Sequence, residues 1–185
     1  MDELNTITFN SDGYSLNTYT TVQNIPYPNN YNYPHTCGIY ADKNGFGIVL
    51  IDQTIDYENP TTRMVVNFIK ESKLSSKSIL IKIKEFATKH YINTINHNAE
   101  YDFKGAVKRY RQTDITTNIK TYDLLNLKGA IINLIDLVND GLLIIKDEIL
   151  IEELKSFDPD KPSHLVYALM LAIAESDASF IWGVI

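Results

Sequence analysis

The chain is poor in the residues that carry several kinds of chemistry. In 185 residues it has one cysteine, one tryptophan, four histidines, six prolines and eight glycines. Cys37 has no second cysteine to join, so no internal disulfide is expected, and one cysteine with four histidines is a poor donor set for structural zinc. No apolar run reaches the roughly 18 residues that a membrane-crossing helix needs, and no membrane partner is expected. The opening stretch, MDELNTITFNSDGY, is acidic and polar rather than basic and then apolar, so it does not read as a secretory signal. No GxxxxGK[ST] phosphate loop occurs anywhere, which removes that class of nucleotide hydrolase. What remains is ordinary for a globular domain, at 44% hydrophobic and 22% charged residues.

A net charge of −6, taken whole, argues against a nucleic-acid partner. Taken by segment it does not. Residues 1–69 carry a net −5, residues 70–111 a net +6 and residues 112–185 a net −7. The central block includes Lys77, Lys82, Lys84, Lys89, Lys104, Lys108, Arg109 and Arg111. A local basic face attracts phosphates even on an acidic protein, although two helices with solvated lysines would give the same composition.

Residues 1–35 are rich in Asn, Thr, Tyr and Pro (IPYPNNYNYPH) and lack a sustained period. They read as an extended arm or linker, with room for short strands, ahead of a domain over residues 36–185. From Thr36 the pattern is regular. CGIYAD and FGIVLIDQTI flank a turn at Lys43-Asn44-Gly45, where Asn-Gly is a hairpin signal, and TRMVVNFIKES reads as a third strand. The period then turns helical over Ser75–His90, with Ile79, Ile83, Phe86 and Ala87 on one face. YINTIN and NIKTYD read as short strands on either side of a helix over Phe103–Arg111, for which Asp102 is a suitable cap. An apolar helix over Leu127–Asn139, an extended LLIIKD, a helix from about Asp147 and a last helix capped by Ser163 complete the chain. Three meandering strands followed by alternating helices and strands are the order of the ribonuclease H-like fold, a mixed α/β sheet flanked by helices.

In that fold a cutting site draws carboxylates from the first strand, the end of the fourth strand and the start of a late helix, so that two divalent cations can clamp the reacting oxygens. Mg²⁺ or Mn²⁺ would be the cofactor, because hard cations favour oxygen ligands. Asp42 ends the first strand, but beside Lys43-Asn44-Gly45 it also suits a turn. Asp52 lies on the second strand. Near the second position the chain reads Asn96-His97-Asn98-Ala99-Glu100-Tyr101-Asp102, with Asn96 where an acid is wanted and Glu100 or Asp102 as substitutes. The late helix starts Ser163-His164 with no acid, leaving His164 as a base, a ligand or a plain first-turn residue. Asp42, Asp102 and His164 are thus the catalytic candidates, and Asp42, Glu100 and Asp102 the metal-holding ones. Lys104, Lys108, Arg109 and Arg111 are the candidate phosphate contacts.

The C-terminal half, LKGAIINLIDLVNDGLLIIKDEILIEELKSFDPDKPSHLVYALMLAIAESD, resembles the end of the nuclease domain of large terminase subunits, the viral DNA-packaging motors. Lys128, Gly141, Glu153, Leu154, Phe157 and Ala168–Ala172 carry the likeness, which extends loosely over Cys37–Arg111. It implies a metal-dependent DNA endonuclease with DNA, a packaging ATPase or a portal as partners, working in the host cytoplasm. The family's first-strand acid falls on Asp42, its second near Asn96, and its late acidic pair on Ser163 and His164, so the resemblance also implies a damaged site. A second resemblance competes. His97-Asn98-Ala99-Glu100-Tyr101-Asp102 is similar to the HNAxxD element of proofreading-type (DEDD) 3′–5′ exonucleases, and Thr121-Tyr122-Asp123 to a later strand of that family. That likeness implies metal binding by Asp102 and a general base at His164, but the Asp-x-Glu of the first strand is missing and the late aspartate position is Leu169. A third reading is a domain that binds nucleic acid or another protein without catalysis.

Overall fold

A computed structural model describes residues 4–9, 14–19, 35–52, 63–72, 76–98, 117–122, 127–158, 161 and 163–174. Strands β3 (His35–Asp42), β4 (Gly45–Asp52) and β5 (Arg63–Glu71) form the antiparallel meander. Helix α1 (Ser76–Ala87) then leads to β6 (Ile92–Asn98), which pairs parallel with β3, and β7 (Asn118–Tyr122) pairs parallel with β6. Helix α2 (Leu127–Asn139) precedes β8 (Leu143–Ile144), a short strand parallel to β5. Helices α3 (Glu148–Lys155) and α4 (His164–Ile173) follow. The six-stranded sheet has the order β7-β6-β3-β4-β5-β8.

Side-chain alternation divides the core into two layers. Cys37, Ile39 and Ala41 of β3 and Phe46, Ile48 and Leu50 of β4 meet Ile79, Ile83 and Phe86 of α1 on one face. Tyr40, Val49 and Ile51 face α2, α3 and α4 on the other. Both faces of β3 and β4 are covered, which is why their sequences run almost continuously apolar. Helix α4 is buried from Leu165 to Ile173, as LVYALMLAI, apolar all round, requires. It lies on β3 and β4 at two glycines: a Cβ on Gly38 would come within 2.0 Å of the Ala168 carbonyl oxygen, and one on Gly47 within 2.4 Å of the His164 carbonyl oxygen.

The segment read as an arm includes an antiparallel pair, β1 (Leu4–Phe9) with β2 (Tyr14–Tyr19), in register from Leu4–Tyr19 to Phe9–Tyr14. It forms a sheet of its own, with β2 against α2 and β1 against α3. The helix expected over Phe103–Arg111 lies outside the described residues.

Candidate functional site

Parallel pairing brings the C-terminal ends of β3 and β6 to one edge of the sheet, and the seating of α4 on Gly47 brings its first turn there too. Asp42 and His164, 122 residues apart, meet at that edge: His164 Nε2 donates to Asp42 Oδ1 at 2.8 Å, with both side chains about 15% exposed. Asp42 Oδ1 also accepts the Asn44 N–H at 2.7 Å. Asp42 thus closes the turn and also reaches the start of α4. Burial works to raise the pKa of Asp42, but the His164 bond, the N–H groups of Asn44 and Gly45 and the imidazole's charge hold it below the ordinary carboxylate range.

Strand β6 runs two residues beyond Asn96, to Asn98, and the two amides do different things. Asn96 is fully buried mid-strand, where its Nδ2 donates to the Leu171 carbonyl of α4 at 2.9 Å and its Oδ1 has no hydrogen-bond partner. Asn98 stands at the strand end. Its Oδ1 accepts the Ala41 N–H at 2.9 Å and its Nδ2 donates to the Ala41 carbonyl at 2.8 Å, so the side chain extends the ladder one step past the last β3–β6 pair, Ile39–His97. His97 points to the other side. Its Nδ1 donates to the Asn98 carbonyl at 2.9 Å, which leaves Nε2 to accept from the Thr121 hydroxyl at 3.0 Å. Burial lowers its pKa and keeps it a neutral strand-to-strand bridge.

At the start of α4, Ser163 caps the helix through the Val166 N–H and donates to Glu153 of α3, which also pairs with Lys70 of β5. Sequence reading found the cap but gave Glu153 no contact here. Burial pushes the Glu153 carboxyl up, but Lys70 and Ser163 outweigh it and hold its pKa low. Beneath His164, Tyr40 stacks at a tilt with Tyr167 (4.8 Å between ring centroids), and Phe157 meets Tyr167 edge-on at 5.7 Å. This aromatic floor keeps His164 against Asp42, with Tyr40 at 5.8 Å from the imidazole.

Solved structures similar to this one include terminase nucleases and RuvC. The large terminase nuclease of thermophilic phage G20c, solved with bound zinc, superposes with a TM-score of 0.62 at 12% identity, covering 79% of this chain and 83% of that one. The chain has the ribonuclease H-like fold. The human cytomegalovirus terminase nuclease domain, soaked with Mn, matches at 0.56 and 12% identity over 80% of this chain and 87% of that one. RuvC of T. thermophilus, in complex with a Holliday junction substrate, matches at 0.53 and 14% identity over 81% and 99%. No protein-family model matches the sequence, and no curated protein matches it.

The three positions that a ribonuclease H-like site draws on hold a carboxylate, an amide and an imidazole: Asp42, Asn98 and His164. A two-metal centre needs several anionic oxygens around both cations. The described donors do not fit one. The Asn98 amide is committed at both ends to Ala41, and His164 turns its Nε2 onto Asp42. Among the described residues no group of three His, Cys, Asp or Glu side chains is placed to hold a metal. Asp52 is buried at the far end of β4, paired in register with His35 and Met64, and takes no part. Glu100, Asp102, Lys104, Lys108, Arg109 and Arg111 lie outside the described residues.

The Asp42 bond network makes a pH-dependent prediction. Asp42→Ala should cost about 1.5–3 kcal/mol at pH 7, the usual scale for a hydrogen bond to a charged group. A carboxylate with a depressed folded-state pKa stabilises the fold fully above its unfolded value near 4 and loses that contribution as pH falls through the folded value. Urea unfolding of wild type and variant should therefore show a gap at about pH 5 that closes toward pH 3. A gap as large at about pH 3 as at pH 5 would contradict the assignment.

Proposed function

We propose that this chain is a DNA-handling domain of the terminase-nuclease type that holds DNA without cutting it by the two-metal route. The observation that carries the reading is the site itself: each of the three positions is filled, and the side chains there are bonded to protein atoms rather than arrayed as anionic ligands. The likeness to terminase nucleases and to a junction-bound RuvC supports DNA as the partner. So does the net +6 of residues 70–111 on an otherwise acidic chain. In this reading the domain works beside a packaging ATPase or portal in the cytoplasm of a host cell.

The test pairs a binding assay with a cleavage assay. Purified protein should shift the anisotropy of a labelled DNA duplex, less so as salt rises, and should leave plasmid DNA intact in Mg²⁺ and in Mn²⁺. Cutting lost in Asp42→Ala, Glu100→Ala or Asp102→Ala would make the chain an active endonuclease. Degradation confined to 3′ ends of single strands and lost in Asp102→Ala would select the exonuclease. Absence of DNA binding would remove the DNA-handling role.

A further inference from the structure

Helix α1 carries three lysines, Lys77, Lys82 and Lys84, and Lys89 follows it in the next turn, against one acid, Glu85. Its apolar stripe, Ile79, Ile83 and Phe86, is spent on the sheet, so the cations occupy the outward arc. Lys82 is half-buried and pairs with Glu85 at 3.0 Å. Lys77, Lys84 and Lys89 are exposed and have no acidic partner among the described residues. Lys70, Lys155 and Lys161 each meet a carboxylate, on Glu153, Glu152 and Asp158, whereas Lys43 in the β3–β4 turn is exposed like the α1 lysines. A helix that merely needed solubility would mix signs and gain from i,i+4 pairs; this one leaves its charge open on a chain of net −6.

The row also has a direction. Helix α1 follows β5, whose Glu71 pairs with Phe46 near the β3–β4 turn, so it starts at the Asp42 end of the sheet. It ends where β6 begins beside His35. Lys77 and Lys84 are two turns apart, about 10.5 Å along the axis.

We infer that the outer face of α1 is a docking surface for the DNA backbone, with Lys77, Lys84 and Lys89 meeting phosphates independently of sequence. The inference rests on the DNA-handling reading above and adds where the strand lies: along the face of α1, leading away from the Asp42–His164 edge. Phosphates fit this surface because point-charge ammonium groups on flexible stems contact a regular polyanion without shape-specific hydrogen bonding.

The test compares two triple variants with the same change in net charge, Lys77→Glu/Lys84→Glu/Lys89→Glu and Lys146→Glu/Lys155→Glu/Lys161→Glu. Thermal melts first confirm that both fold. Binding of a random-sequence duplex should collapse in the first and persist in the second. In the milder Lys77→Ala/Lys84→Ala/Lys89→Ala variant the slope of log K against log salt should fall by about 0.9 for each lysine removed. Equal binding by both charge-reversed variants would overturn the placement while leaving the DNA-handling reading intact. No binding by wild type would overturn both. Binding of anionic vesicles through these lysines, with no DNA binding, would assign the face to a membrane surface instead.

Discussion

Gly38→Ala is expected to destabilise the protein by about 3 kcal/mol or more, at the top of the range for overpacking a core. A Cβ at this position would lie 2.0 Å from the Ala168 carbonyl oxygen, 2.4 Å from the Ala172 nitrogen and 2.9 Å from the Ala172 Cα. All three are backbone atoms of α4 or its neighbourhood, so no side chain can swing aside. The helix cannot retreat cheaply, because it is buried from Leu165 to Ile173 between the sheet and the other helices. Lifting it would also draw His164 away from Asp42 and Leu171 away from Asn96. Gly141→Ala is the control. Gly141 has φ +69° and nothing within 4 Å of a built Cβ, so alanine there should cost only about 1–2 kcal/mol, the penalty of the left-handed backbone. Urea unfolding of the two variants should separate them clearly; equal losses would mean that α4 is not seated on β3 as described.

Asn98→Ala should cost about 2–4 kcal/mol, because it strips partners from two buried backbone groups at once. Ala41 is completely buried, and its N–H and carbonyl toward β6 are met by the Asn98 side chain rather than by a strand. Asn98→Asp keeps the size but not the donor, and places a carboxylate oxygen against the Ala41 carbonyl. It should therefore lose a similar amount at pH 7, as read by thermal unfolding. If Asn98→Asp were as stable as wild type and bound Mn²⁺, the β6 end would be a carboxylate position in waiting rather than part of the ladder.

Much of the fold was legible because it is written locally. The β3–β4 hairpin was marked by Asn44-Gly45, although the turn itself is Lys43-Asn44, closed by the Asp42 carboxylate on the Asn44 N–H, and Gly45 opens the next strand. The last helix was marked by Ser163, which does cap it. The end of β6 was read two residues short, since an Asn-His-Asn run signals turn or loop as readily as strand; in the fold both asparagines gain buried partners on other elements. The pairing of Asp42 with His164 could not be read from either residue. It arises from the parallel addition of β6 and the seating of α4 on Gly38 and Gly47, which are long-range events. The signal for that seating was present, since glycines inside apolar strands mark close backbone approach. The contact of Glu153 with Ser163 was not legible for a similar reason. Glu153 reaches Ser163 across the α3–α4 connection, and its helix periodicity marks it only as a surface position.

The most direct test of the central claim is plasmid cleavage by the wild-type chain across a titration of Mn²⁺, with Asp42→Ala alongside. The account predicts intact plasmid at every concentration, with wild type and variant indistinguishable. Wild-type cutting that rises with Mn²⁺ and vanishes in Asp42→Ala would contradict it, and would show that Asp42 leaves His164 to hold a metal.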